Sequence, residues 1–165
     1  MRKILFIFSF VPTVSFGQKV ISDKKDPFTN VRTITTDMQP IFLSGKIPIA
    51  QISGVIGKTD TSIAVAIYIY SKNLNVKTSD NIEKGCWLKL SQGTTITGKW
   101  INTVDAAGML YSAFQISPDD LKTLEIDKVT DIKMVGDMSH MLQFEVEGKP
   151  QNTIIQFAKI LTSYL

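Results

Sequence analysis

The chain has 165 residues, 44% of them hydrophobic and 20% charged, with a formal net charge of +3. That charge is too small to imply a nucleic-acid partner, which needs a clustered basic face. One cysteine, Cys86, excludes a disulfide framework, and with one histidine, His140, no ligand pair has metal-like spacing.

The opening MRKILFIFSFVPTVSFGQKV has the layout of a secretory signal. Arg2 and Lys3 form a basic start, Ile4 to Val14 is apolar apart from Ser9, Pro12 and Thr13, and Ser15-Phe16-Gly17 supplies small residues before a cut between Gly17 and Gln18. The apolar run is too short to cross a bilayer, which takes about 20 residues. A lipid anchor needs a cysteine at the new N-terminus, where Gln18 stands. The expectation is a cleaved segment 1–17 and an exported chain, periplasmic or extracellular, with no transmembrane segment and no lipid anchor. Removing Arg2 and Lys3 leaves sixteen basic against fifteen acidic side chains, so the basicity belongs mostly to the signal.

Residues 18–30 read as a polar N-terminal segment whose Asp26-Pro27 implies an extended or turn entry, and residues 31–165 as a single domain. VRTITT alternates and is β-branched, which predicts a strand. IFLSGKIPIAQISGVIG is rich in Ile but carries Pro48, and proline predicts an edge or bulged strand. TSIAVAIYIY is apolar on both faces and predicts a central strand covered on both sides, the face with Ala64 and Ala66 admitting a helix closely. SKNLNVKTSDNIEKG reads as a polar loop.

WLKLS and TTITGKWI flank Gln92-Gly93 and predict a hairpin, in which Trp87 and Trp100 could pair across the strands. NTVDAAG predicts a second turn before the strand MLYSAFQI. Ser117-Pro118-Asp119-Asp120 predicts a short helix to about Glu125, with a Ser cap, Pro at the first position and acids at the positive end of the dipole. VTDIKMVGDMSHMLQFEVEG predicts a hairpin with Leu142, Phe144 and Val146 inward and Gln143, Glu145 and Glu147 outward. Asn152 is expected to cap a closing helix whose stripe is Ile154, Phe157, Ala158, Ile160, Leu161, Tyr164 and Leu165. The sum is an α+β fold: a mainly antiparallel sheet, a short internal helix, and a C-terminal amphipathic helix on one face.

No catalytic, cofactor-binding or metal-binding constellation emerges. Cys86, in GCWLKL, reads as a small buried hydrophobe rather than a thiolate, which would need a cation and exposure. His140 falls in a turn with no orienting carboxylate at hand. Asp119 and Asp120 are explained by helix capping. Glu145 and Glu147 share a strand face and read as solvated. GKTDTS lacks the earlier glycine of a phosphate loop and precedes a strand. Tyr68, Tyr70, Trp87 and Trp100 are candidates for a ligand face, with sheet packing as the alternative.

The run DPFTN with VRTITT, then LKLSQGTTITG, then FQISPDDLKTL before a closing hairpin and helix, resembles small exported bacterial envelope proteins. Such chains often carry Gly where Asn30 stands here, and the resemblance transfers no activity and no site residue. The sequence therefore predicts an exported non-catalytic binding or accessory module of the envelope. Its partner would be an envelope protein or peptide, met along an edge strand near Ile47 to Ile56. The alternative is a carrier of a small apolar ligand, held in a pocket between the sheet, at Tyr68 and Tyr70, and the C-terminal helix.

Overall fold

β-branched and aromatic residues recur through most of the segments that become strands, where branched side chains pack well on a pleated surface. The computed structural model describes residues 19–44, 47–72, 83–106, 109–136 and 141–165. Their strands are β1 (Val20–Lys25), β2 (Arg32–Thr36), β3 (Gln39–Ser44), β4 (Ile47–Lys58) and β5 (Ile63–Lys72). After these come β6 (Gly85–Leu90), β7 (Thr95–Ala106), β8 (Met109–Ile116), β9 (Val129–Val135) and β10 (Met141–Glu145). Helix α1 (Pro118–Ile126) lies between β8 and β9, and α2 (Lys149–Thr162) follows β10. All strands join one antiparallel sheet in the order β1-β2-β4-β5-β8-β7-β6-β9-β10, with β3 also paired to β4. The fold is α+β.

Register divides the side chains between two faces. Val65, Ile67 and Ile69 lie opposite Ile116, Phe114 and Ser112 on one face, while Tyr68 and Tyr70 lie opposite Ala113 and Tyr111 on the other. Gly54 is opposite Ile67. A Cβ there would collide with the ring of Phe157, so α2 meets the sheet on the Ile67 side. Phe157, Leu161 and Ile154 of α2, Leu121 and Leu124 of α1, and Ile34, Ile52, Ile56, Ile67 and Phe114 of the sheet form one buried cluster. The close approach is therefore at Gly54 and not at the alanines. On the other face Ala64 is exposed and Tyr68 half-buried, but Tyr70 is buried beside Tyr111, so β5 is covered fully on one face and only toward its C-terminal end on the other.

Local signals hold where their chemistry is local. Ser117 caps α1 and exchanges hydrogen bonds with Asp120, with Pro118 opening the first turn. Gly93 takes φ 91 in the β6–β7 turn. Leu142, Phe144 and Val146 are buried, and Gln143, Glu145 and Glu147 exposed.

Other expectations are corrected. The segment Ile47 to Ile56 is not an edge, because β4 pairs with β5 on one side and with β3 and then β2 on the other. Pro48 is accommodated opposite Leu43, next to irregular register in β3. Within residues 18–30, expected to be extended or a turn, the extended option holds as strand β1, paired to β2. NTVDA is strand rather than turn, since Val104 pairs with Tyr111 and Ala106 with Met109. The closing helix starts at Lys149 behind Gly148 (φ 65) and not at Asn152; Pro150 is tolerated there because first-turn N–H groups have no helical partner.

Candidate functional site

Strands β3 and β10 bring two sheet edges together. β3 pairs only with β4, and β10 only with β9, among the described strands. Phe42 of β3 and Phe144 of β10 stack across the gap, ring centroids 4.8 Å apart and 20° from parallel. Between them runs a cleft of about 600 Å³ lined by Ile41, Phe42, Leu43, Gln143, Phe144, Glu145, Glu147 and Pro150. Its floor is apolar and its β10 rim acidic.

The backbone of β10 follows from one hydrogen bond. Val146 N–H donates to the Thr130 carbonyl at 2.8 Å, and Phe144 is registered with Ile132. Antiparallel ladders alternate, so Leu142 and Phe144 exchange bonds with β9, while Met141, Gln143 and Glu145 turn their N–H and C=O groups to the open side. An unpaired row of this kind is a template for another strand.

Among the sheet's other open edges, β3 carries Pro40 and two register shifts, and β1 has a shift between Val20 and Ser22 and, beyond it, a charged stretch of Asp23, Lys24 and Lys25 unsuited to an apolar or like-charged strand. β10 has unbroken register and no proline. It is the edge best shaped to receive a strand.

The four aromatics singled out from sequence do not form one surface. Trp87 is registered with Thr97 and not with Trp100, so the two tryptophans are not a cross-strand pair and fall on opposite faces. Trp100 shares the Phe114 face, donates from Nε1 to Thr103 Oγ1 at 3.1 Å, and has the Lys84 ammonium 4.4 Å from its ring centroid. Tyr70 lies on the other face with Tyr68; it packs at 4.8 Å on Tyr111, and its hydroxyl donates to Met109 Sδ. Burial, and secondarily Tyr111, raises the Tyr70 phenol above its ordinary range. The pocket imagined between α2 and Tyr68/Tyr70 has its two walls on opposite faces of the sheet.

Cys86 is fully buried on the α2 side, and burial pushes its thiol far above the usual range, so it is an inert neutral thiol under ordinary conditions. Asp120 serves the α1 cap and Asp119 pairs with Lys122 at 2.9 Å. Gly17, Gln18 and His140 lie outside the described residues. Among the described residues no three His, Cys, Asp or Glu side chains gather as a metal site, and no helix is long and apolar enough to cross a membrane.

Sequence reasoning read Glu145 and Glu147 correctly as exposed but missed the cleft they border. The alternation in LQFEVE identifies a strand, whereas edge status depends on partners far away in the chain. No family model, curated protein or solved structure matches the chain.

Proposed function

We propose that the chain is an exported, non-catalytic binding module that captures an extended peptide by strand addition to β10. The peptide's backbone would pair with the open groups of Met141, Gln143 and Glu145, and its apolar side chains would enter the cleft against Phe42 and Phe144. The carrying observation is the regular, unblunted β10 edge beside an apolar cleft. Glu145 and Glu147 are exposed and take part in no ion pair among the described residues, which favours a peptide alternating apolar and basic residues. Export rests on the signal layout of residues 1–17, and envelope residence on export together with the resemblance noted above.

The alternative, a small apolar ligand held between sheet and helix, has less room. The crevice where Gln39, Pro40 and Leu43 face Lys149 and Thr153 is about 170 Å³, below the roughly 300 Å³ at which ligand pockets begin.

The test uses fluorescein-labelled heptapeptides alternating valine with lysine or valine with glutamate. Anisotropy should show saturable binding of the lysine peptide and a much weaker response to the glutamate peptide. Gln143→Pro removes an outward N–H without touching the β9 ladder, and should abolish binding while the variant melts cooperatively. Undiminished binding by Gln143→Pro would remove β10 from the reading. Intact mass of the exported protein should begin at Gln18; a mass that includes residues 1–17 would refute the cleavage.

A further inference from the structure

The two ends of the sheet carry opposite charge. At one end, β1 presents Lys24 and Lys25, both exposed, at its C-terminal end. The neighbouring Asp23 is neutralised by Arg32, which donates from Nε at 2.8 Å and from Nη2 at 2.6 Å to its two carboxylate oxygens. At the other end, β10 leads into Glu145 and Glu147. The bulge in β1 is confined to Val20/Ser22, so Ser22 to Lys25 is a regular four-residue edge.

We infer that the strand β10 receives is β1 of a second copy of this chain, joining the open ends of two sheets head to tail. The inference rests on the strand-addition reading of β10 and names its partner, whose lysines would meet the acidic rim while Phe28, on the adjoining turn, would supply the apolar side chain for the cleft. Charge favours this pairing over the parallel pairing of like edges, in which two β10 strands would oppose their glutamates and two β1 strands their lysines. It also selects a parallel alignment, because the lysines and the glutamates both stand at the C-terminal ends of their strands.

That alignment carries the β1–β2 turn toward the Pro150 end of the cleft. The turn presents Phe28, 94% exposed on a loop held by Asp26, whose Oδ1 accepts from the N–H groups of Phe28 and Thr29 at 2.8 and 3.2 Å. An exposed aromatic on a fixed turn is an anchor that loses little entropy on docking. The contact is heterologous, so it propagates instead of closing as a dimer.

Sedimentation velocity of the mature chain at low salt should show species beyond a dimer that grow with concentration and recede with added salt. The variants Lys24→Glu/Lys25→Glu and Glu145→Lys/Glu147→Lys should each sediment as monomers. Their equimolar mixture should assemble again, because every junction between unlike variants regains opposite charges. A wild-type chain that stays monomeric, or variants that assemble as it does, would overturn the inference. A monomeric wild type that still binds the valine–lysine peptide through Gln143 would leave the strand-addition reading standing and refute only the partner. Loss of both would refute the two together.

Discussion

The ring of Phe157 in α2 occupies the volume that a Cβ on Gly54 of β4 would need, and the same Cβ would lie 2.5 Å from Leu161 Cδ1. A helix of large side chains thus approaches the sheet where the sheet has none. Gly54 also donates its backbone N–H to Thr36 Oγ1 at 2.9 Å, a buried bond that fixes the strand under the helix. Gly54→Ala should cost about 1–3 kcal/mol by overpacking. Phe157→Ala alone should cost about 3–5 kcal/mol through the cavity it leaves. In the double variant the new methyl group occupies part of that cavity, so the two costs should fall short of additivity by about 1 kcal/mol or more in urea unfolding. Additive costs would show that the helix sits elsewhere.

The same contact shows what was legible in the sequence. Of the seven residues expected in the α2 stripe, Ile154, Phe157, Ala158 and Leu161 follow a 3.6-residue pattern and are buried, Ile160 is half-buried, and Tyr164 and Leu165, also half-buried, lie beyond the helix end at Thr162. The α1 cap and the Gly93 turn are equally local. The alanines of TSIAVAIYIY promise close approach because they are small, but size does not say which face a helix chooses. Ile67 and Ile69 offer more apolar area to bury, and the helix lies on their side of the sheet. Edges are illegible for the same reason: β4 looks punctuated by Pro48, yet β2 and β3 each take half of its free side. The candidate site depends on that choice, since it leaves β10 at the end of the sheet.

The turn that carries Phe28 makes a prediction about Asn30. Its φ of 58 is left-handed, and its N–H donates to the Asp26 carbonyl at 2.9 Å. Asn30→Gly should change stability by less than about 0.5 kcal/mol, whereas the β-branched Asn30→Val should cost about 1–2 kcal/mol. The N–H groups of Phe28 and then Thr29 hold the Asp26 carboxyl below its usual 3.8. A depressed carboxyl contributes its stability above its unfolded pKa and loses it as pH falls through the folded one. NMR should therefore show the turn intact above about pH 4 and loosening only in stronger acid. Loosening near pH 6 would contradict the assignment to Asp26.

Cys86 predicts the alkaline behaviour. Its folded pKa lies well above the unfolded value of 9.0, because ionisation inside the core is penalised. The unfolded chain alone then releases the proton, so the thiol's contribution is complete below pH 9 and is lost as pH rises further. Stability should fall by about 1.4 kcal/mol per pH unit from this group. Cys86→Ala should cost about 1 kcal/mol at neutral pH and lack that part of the alkaline slope. The two stability curves should converge above pH 9 and then cross. Parallel curves would mean that the thiol ionises in the folded state and is reactive after all.

Phe42 and Phe144 hold the cleft in shape, and their stack gives the last prediction. The rings join β3 to β10, two strands that share no ladder, so removing one frees an edge without breaking a backbone pair. A double-mutant cycle with alanine should return a coupling of about 0.5–1.5 kcal/mol, the range for aromatic pairs beyond simple burial. Phe42→Ala should speed amide exchange in β10 while leaving β4 and β5 protected, because β10 has a ladder on one side only. It should also weaken the valine–lysine peptide by widening the apolar floor on which the peptide's side chains rest. If Phe42→Ala left both β10 exchange and peptide affinity unchanged, the stack would be an incidental contact between two independent edges, and the cleft would lose its role as a binding surface.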